Sequence, residues 1–312
     1  KAIASYKELH NQQPENVDVL EELAAVYKKN NSLEQALKYY QKLEILKKTE
    51  QVYARLGETN YQLGNESKAL VYYKKSLLID ENPVALLGVA EIIRTSDQDS
   101  ALHLAETAFK LAFEALSKYE AKLNSKLGNN NSIAGLVSNK ELLMKVEAQE
   151  QFATEAFHYL TSFNFELVNN QIESLTNDFP KSARIYFLVG SFLYENEEAG
   201  KAFNHLKRSV RLNPNFKDTQ MLLGAIHEER EEYYQSILYY ERALTLDPKD
   251  DETYSHLIRL YRSYGRLDLL CEKWMVKFEA SENKEQLKPH LVEALHKAGK
   301  METARKIIGE KI

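Results

Sequence analysis

The sequence predicts an all-α solenoid of antiparallel helix pairs, and three observations predict it. Glycine and proline are scarce, 11 and 6 in 312 residues, which leaves little chain for turns or strands. Pro180, Pro214 and Pro248 recur at an interval of 34 residues, and Gly190 and Gly224 share that interval. Each period splits into two segments of roughly 12–14 residues with apolar side chains at i, i+3, i+4 and i+7, joined by short polar links. One such helix pair cannot cover its own apolar face, so neighbouring pairs must stack.

Taken in order, the chain opens on a partial helix at 1–14, with Ala2, Tyr6 and Leu9 already at helical spacing. Sequence upstream of Lys1 is expected. Units then begin near residues 17, 50, 81, 149, 183, 217, 251 and 285, the last five in unbroken 34-residue phase. Gly57, Gly190 and Gly224 fall inside the first helix of a pair, where Gly costs ~1 kcal/mol relative to Ala, so close approach of a neighbouring helix is expected there. Ala36, Ala69, Ala202 and Ala304 stand early in the second helix and serve the same end. Aromatic pairs follow at Tyr39-Tyr40, Tyr72-Tyr73 and Tyr239-Tyr240, and Pro14, Pro180, Pro214 and Pro248 close the second helices. The interval 97–148 fits no unit. A long helix is expected from about Asp97 to Asn124, a mobile loop over 125–139 around Gly128-Asn129-Asn130-Asn131-Ser132, and a new helix from near Asn139. The expected division is 1–124, 125–139 and 140–312.

The order of aromatic, Leu-Gly, Tyr, Ala, Tyr, Ala and Asp-Pro resembles the tetratricopeptide repeat. The clearest copies are Tyr53, Leu56, Gly57, Tyr61, Gly64, Ala69 and Tyr73, and the run Tyr240, Ala243, Leu246, Asp247 and Pro248. The resemblance covers nearly the whole chain and implies a right-handed superhelix whose concave surface, lined by the first helix of each pair, binds another polypeptide. Lys277 stands where the family has a small residue, and Trp274 replaces Tyr before it, so unusual packing is expected over 251–284. The family's carboxylate clamp for an acidic C-terminal tail is not reproduced, since the matching positions carry Glu21, Ala25 and Arg55.

Composition narrows function further. The net charge of −5 mixes 41 basic with 46 acidic residues and contains no basic block of the kind that tracks a phosphate backbone, so nucleic acid is not expected as a partner. No stretch reaches the ~18–20 uncharged apolar residues of a membrane span. The single cysteine, Cys271, is expected to be a small buried hydrophobe. His103, His158, His205 and His227 fall in amphipathic helices, where a core-edge histidine is the expected reading, and His290 and His296 lack metal-binding spacing. No cofactor, metal or catalytic residue is expected, because phosphate-cradling, triad and zinc motifs are all missing.

The candidate binding residues are those that project inward from first helices. Arg55 and Tyr61 lie in a polar stretch; Leu86, Val89, Phe157, Phe187, Leu188, Tyr194, Met221 and Leu222 form an apolar centre; His256, Arg259 and Arg262 form a polar end that could accept an anion. Taken singly, each apolar residue reads first as ordinary core between repeats; as a run they point to an interaction surface. Two covers are weighed equally, an external peptide or helix and the chain's own 97–139 segment folded back. The expected function is a non-catalytic scaffold or adaptor, with a regulatory receptor or a substrate-recognition arm for a domain outside this fragment as the alternative. A cytoplasmic setting is favoured slightly over a periplasmic or envelope-associated one.

Overall fold

The computed structural model describes residues 2–127, 140–280 and 284–309, and all regular structure among them is helix. It divides into two compact units, residues 1–169 and 170–312. The first holds α1 (Ala2–Gln12), α2 (Val17–Lys29), α3 (Leu33–Leu46), α4 (Glu50–Gln62), α5 (Glu66–Leu77), α6 (Pro83–Ile93), α7 (Gln98–Leu127) and α8 (Lys140–Thr161). The division falls inside α9 (Phe165–Asp178). The second unit continues with α10 (Ala183–Glu195), α11 (Ala199–Leu212), α12 (Lys217–Glu229), α13 (Tyr233–Leu246), α14 (Asp251–Ser263), α15 (Leu267–Ala280), α16 (Lys284–Lys297) and α17 (Met301–Ile308).

Entry and exit of each pair follow local chemistry. Four first helices start on side-chain caps: Asn16 accepts from the Val19 amide, Thr49 from Val52, Asn82 from Val84 and Ala85, and Ser182 from Ile185. Such a bond satisfies one of the four orphan amides at a helix start. First helices end on a left-handed residue at one repeat position, namely Asn31, Gly64, Glu197, Glu231, Gly265 and Gly299. The amide that follows reaches back to the carbonyl five residues earlier, as in Ser32 to Tyr27, Glu198 to Leu193 and Lys300 to Leu295. This is the 6→1 bond of a Schellman motif.

Where the first helix carries the repeat glycine, packing within the pair rests on that glycine and the side chain laid over it. A Cβ at Gly224 would meet three ring carbons of Tyr240 at 3.1 Å, and one at Gly190 would meet Leu206 Cγ at 2.7 Å. The nearest atoms are therefore mainly those of a side chain, and at Gly190 the Ala202 carbonyl oxygen also lies 3.3 Å away. Ala36, Ala69, Ala202 and Ala304 are all buried. Ser76 and Ser209 occupy another small-residue position and donate to the first carbonyl of the paired helix, Glu50 and Ala183, each at 2.7 Å.

Two departures have physical causes. In α14 and α15 the glycine and tyrosine positions carry Ile258 and Trp274, so a ring cannot lie on the helix as Tyr240 lies on Gly224, and this pair packs less closely than the glycine-bearing pairs. Trp274 turns its edge to Tyr254 at 5.3 Å, and His290 stacks on the other ring contact of Tyr254 at 3.9 Å. The helix expected from near Asn139 is the 22-residue α8, which starts at Lys140 and runs through the unit expected from about 149. Phe109 of α7 meets Phe157 of α8 at 5.3 Å, while Tyr119 faces Lys145, and Lys122 and Lys126 face Glu141. Rising numbers on α7 meet falling numbers on α8, so the two run antiparallel. The expected boundary at 125–139 is not where the chain divides, because α8 packs on α7 inside the first unit. Of that expected loop, 125–127 belong to α7 and 128–139 lie outside the described residues, as do the docking of that loop and its mobility.

Candidate functional site

Side chains projecting from consecutive first helices touch across the repeat spacing, and this makes a face in each unit. In the second unit the row runs over α10, α12 and α14. Tyr194 on α10 donates to Glu229 on α12. Glu228, beside it, accepts from Arg259 on α14 through Nε at 2.9 Å. Arg259 also reaches His256 Nδ1 at 2.7 Å, and the His256 ring stacks on Tyr240 at 4.7 Å. Burial, and then Glu229, push the Tyr194 hydroxyl up to about 12, while the hydrogen bond to Glu228 raises the Arg259 guanidinium further above its usual value. Tyr194 stays a donor and Arg259 stays charged. Apolar neighbours complete the row. Phe187 packs on Phe216 at 5.0 Å, and Met221 accepts from Thr253 Oγ1 through sulfur at 3.0 Å.

The first unit repeats this geometry with its charges exchanged. Lys28 on α2 pairs with Glu58 on α4, to which Arg55 also donates at 3.0 Å. Burial opposes the Glu58 charge, but Lys28 and Arg55 outweigh it and hold the carboxyl below its ordinary range. For Lys28 burial dominates and lowers the ammonium despite Glu58. Tyr61 donates to Glu91 on α6 at 3.4 Å.

The candidate residues separate into three groups. Leu86, Val89 and Phe157 are buried and do not present an apolar face. Val89 clusters with Ala54, Tyr73 and, at its margin, Leu104 of α7, and Phe157 lies on Phe109 of α7. Within the described residues, Phe157 is covered by α7 and Val89 chiefly by α4 and α5. Phe187, Leu188, Tyr194, Met221 and Leu222 are half-buried, and Leu222 flanks the cluster of Leu206, Leu223 and Ile226. Arg55 and Arg259 are exposed but already held by glutamates, so the expected anion-accepting patch keeps only Arg262 as an exposed cation with no ion pair among the described residues. Glu228 and Glu229, the acceptors that organise the row, were not among the candidates. The signal was present: Glu228 precedes Arg259 by 31 residues much as Lys28 precedes Glu58 by 30.

Cys271 is buried, and burial pushes its thiol up, so the thiolate is disfavoured. His205 is half-buried and His227 buried, whereas His103 and His158 are exposed, contrary to the core-edge reading of those two. Among the described residues no group of three or more His, Cys, Asp or Glu could hold a metal ion, and no helix is long and apolar enough to cross a membrane.

A family model for the tetratricopeptide repeat matches residues 50–83 and 218–250, one copy in each unit. The chain carries tetratricopeptide repeats. Repeats of this family generally mediate protein–protein interaction. The chain is 25% identical over 229 residues to the human protein O-mannosyl-transferase TMTC1, covering 70% of this chain and 25% of that protein. It is 26% identical over 90 residues to a Giardia intestinalis UDP-N-acetylglucosamine–peptide N-acetylglucosaminyltransferase, covering 29% of this chain and 6% of that protein. This tetratricopeptide-repeat chain thus spans a quarter or less of these relatives. Among solved structures it is similar to the C-terminal part of a repeat-containing protein from Cytophaga hutchinsonii, at 15% identity, 93% and 98% coverage and TM-score 0.43. It is also similar to a repeat protein from Parabacteroides merdae, at 16% identity, 83% and 90% coverage and TM-score 0.37. At these scores the likenesses do not bear on how the two units are arranged.

Proposed function

We infer that this chain is a non-catalytic scaffold that holds a peptide or helix of a partner on the first-helix face of its second unit. The observation that carries this is the row over α10, α12 and α14, where half-buried Phe187 and Met221 lie beside oriented polar groups on Tyr194, Glu229 and Arg259, with Arg262 exposed nearby on α14. Aromatic and long apolar side chains next to fixed donors and acceptors are what concentrate energy in a protein interface. A partner segment would cover the ring of Phe187 and meet groups whose orientation is already set, which lowers the entropy of binding. Buried Leu86, Val89 and Phe157 place no such surface on α6 or α8.

The matched relatives favour one variant of this reading. Both are named as glycosyl- or mannosyl-transferring enzymes, and the likeness lies in their repeats. The chain would then be the arm that presents a polypeptide to a domain outside this fragment.

The test is a peptide library selected on the purified chain, followed by calorimetry with the selected peptide. Phe187→Ala and Tyr194→Ala should each weaken it by ~1–3 kcal/mol, and Lys249→Ala should change little. Equal and small effects at all three would remove this face from consideration.

A further inference from the structure

The outward side of α11 differs in charge from every other second helix. It carries Lys201, Lys207, Arg208 and Arg211 and contains no Asp or Glu. By contrast α9 carries Glu166, Glu173 and Asp178 with no Lys or Arg, and α13 balances Glu241 with Arg242. In a chain of net charge −5 this concentration is local.

Stability of the helix does not account for it. A cation near a helix C-terminus is favoured by the macrodipole within the last turn, which covers Arg211 but not the other three. Neither do internal ion pairs. Lys201 meets Glu173 at 3.2 Å, but Lys207 lies over the ring of Phe203 at 5.3 Å and Arg208 over Tyr186 at 6.0 Å. Arg211 is exposed with no ion pair among the described residues. A ring face attracts a cation while leaving its outward N–H donors unused. On the next second helix, Tyr234 is 62% and Leu238 44% exposed, so apolar surface stands one repeat away from the cations.

We propose that the outer face of α11 is a second protein-docking surface, distinct from the first-helix face, and that it takes an acidic segment of a partner protein carrying at least one apolar side chain. Carboxylates on such a segment match the forked donors of Arg208 and Arg211, and Tyr234 or Leu238 receives the apolar side chain. A polynucleotide is the weaker match: the basic face is one helix of 14 residues, about 21 Å long, on a chain that is otherwise acidic and would repel a longer polyanion.

The experiment titrates the full chain with a synthetic peptide of Glu and Asp interspersed with Leu, and separately with a single-stranded oligonucleotide, at fixed salt. Two triple variants of equal charge change are compared, Lys207→Glu, Arg208→Glu, Arg211→Glu on α11 and Lys38→Glu, Lys68→Glu, Lys74→Glu on α3 and α5, with circular dichroism confirming that both are helical. Expected is at least a tenfold loss of peptide affinity for the α11 triple, a change below threefold for the other, and weaker binding of the oligonucleotide than of the peptide. Equal losses in the two triples, tighter binding of the oligonucleotide, or no peptide binding by the unaltered chain would each overturn the proposal.

Discussion

The ring of Tyr73 occupies the space that a side chain at Gly57 would need: a Cβ there would stand 2.5 Å from its Cδ1 and 2.9 Å from its Cγ. Gly88 presses on the same ring from α6, and Tyr73 is buried, so the ring is held between two helices and has nowhere to turn.

Replacing Gly57 by Ala should therefore destabilise the first unit. Alanine recovers ~1 kcal/mol of helix propensity, but forcing a methyl group into a packed ring costs about 1–3 kcal/mol, and a shift of Tyr73 also disturbs α6. At Gly224 the nearest ring carbons of Tyr240 are 3.1 Å away, so Ala is better tolerated while Leu is not. Thermal melts should rank Gly57→Ala below Gly224→Ala, and Gly224→Leu below both the unaltered chain and Gly224→Ala. A neutral or stabilising Gly224→Leu would show that the ring does not sit there.

Glu197 and Glu231 take φ values of 65° and 57°, where the same repeat position elsewhere carries Gly64, Gly265 and Gly299. A left-handed conformation costs a residue with a Cβ roughly 1–2 kcal/mol, partly offset by the greater entropy that Gly loses on folding. Glu197→Gly and Glu231→Gly should each raise the urea midpoint slightly, and Glu197→Val should lower it. A fall in the midpoint with Gly would mean that the glutamate side chains contribute more than the backbone strain.

Ser209 is buried, donates to the Ala183 carbonyl and meets Thr219 Oγ1 at 2.8 Å. Ser209→Ala leaves both groups short of a partner inside the packing and should cost about 1–3 kcal/mol. Ser209→Thr keeps the hydroxyl and tests whether the loss is one of hydrogen bonding or of size. If Ala is tolerated and Thr is not, volume decides this position.

Acid should loosen the first unit through Glu58. Its folded carboxyl is held below the usual range by Lys28 and Arg55, so its contribution is present above the unfolded value of about 4.3 and is lost as pH falls through the lower folded value. Glu58→Gln should flatten the decline of stability below about pH 4.5, measured by urea unfolding at a series of pH values. A decline as steep as that of the unaltered chain would assign the acid sensitivity elsewhere.

Much of the fold was legible because its pairing is periodic. Gly57 with Tyr73 and Gly224 with Tyr240 lie 16 residues apart in both repeats, so a spacing in the sequence is also a contact in space. Pro180, Pro214 and Pro248 likewise mark helix ends at 178, 212 and 246. The start of α8 at Lys140, nine residues ahead of the repeat phase, was visible from the polar run before it, with Asn139 of a capping residue type and Glu141 in the first turn.

By itself, then, the sequence determined the helix pairs, their turns and the small-residue positions, because each depends on residues within one repeat or its next neighbour. Tertiary structure decided which apolar residues are covered. Successive helical residues turn by about 100° around the axis, so a small error in the rotation of α6 or α8 moves Leu86, Val89 and Phe157 from an open face to the inside. Phe157 is covered by Phe109 of α7, and Val89 by Ala54 and Tyr73 with Leu104 of α7 at the margin; the 30 residues of α7 depart from the repeat, and no period foretells their partners. The row of Tyr194, Glu229, Glu228 and Arg259 was settled in the same way, since its bonds join three helices whose side chains meet only after the repeats have stacked.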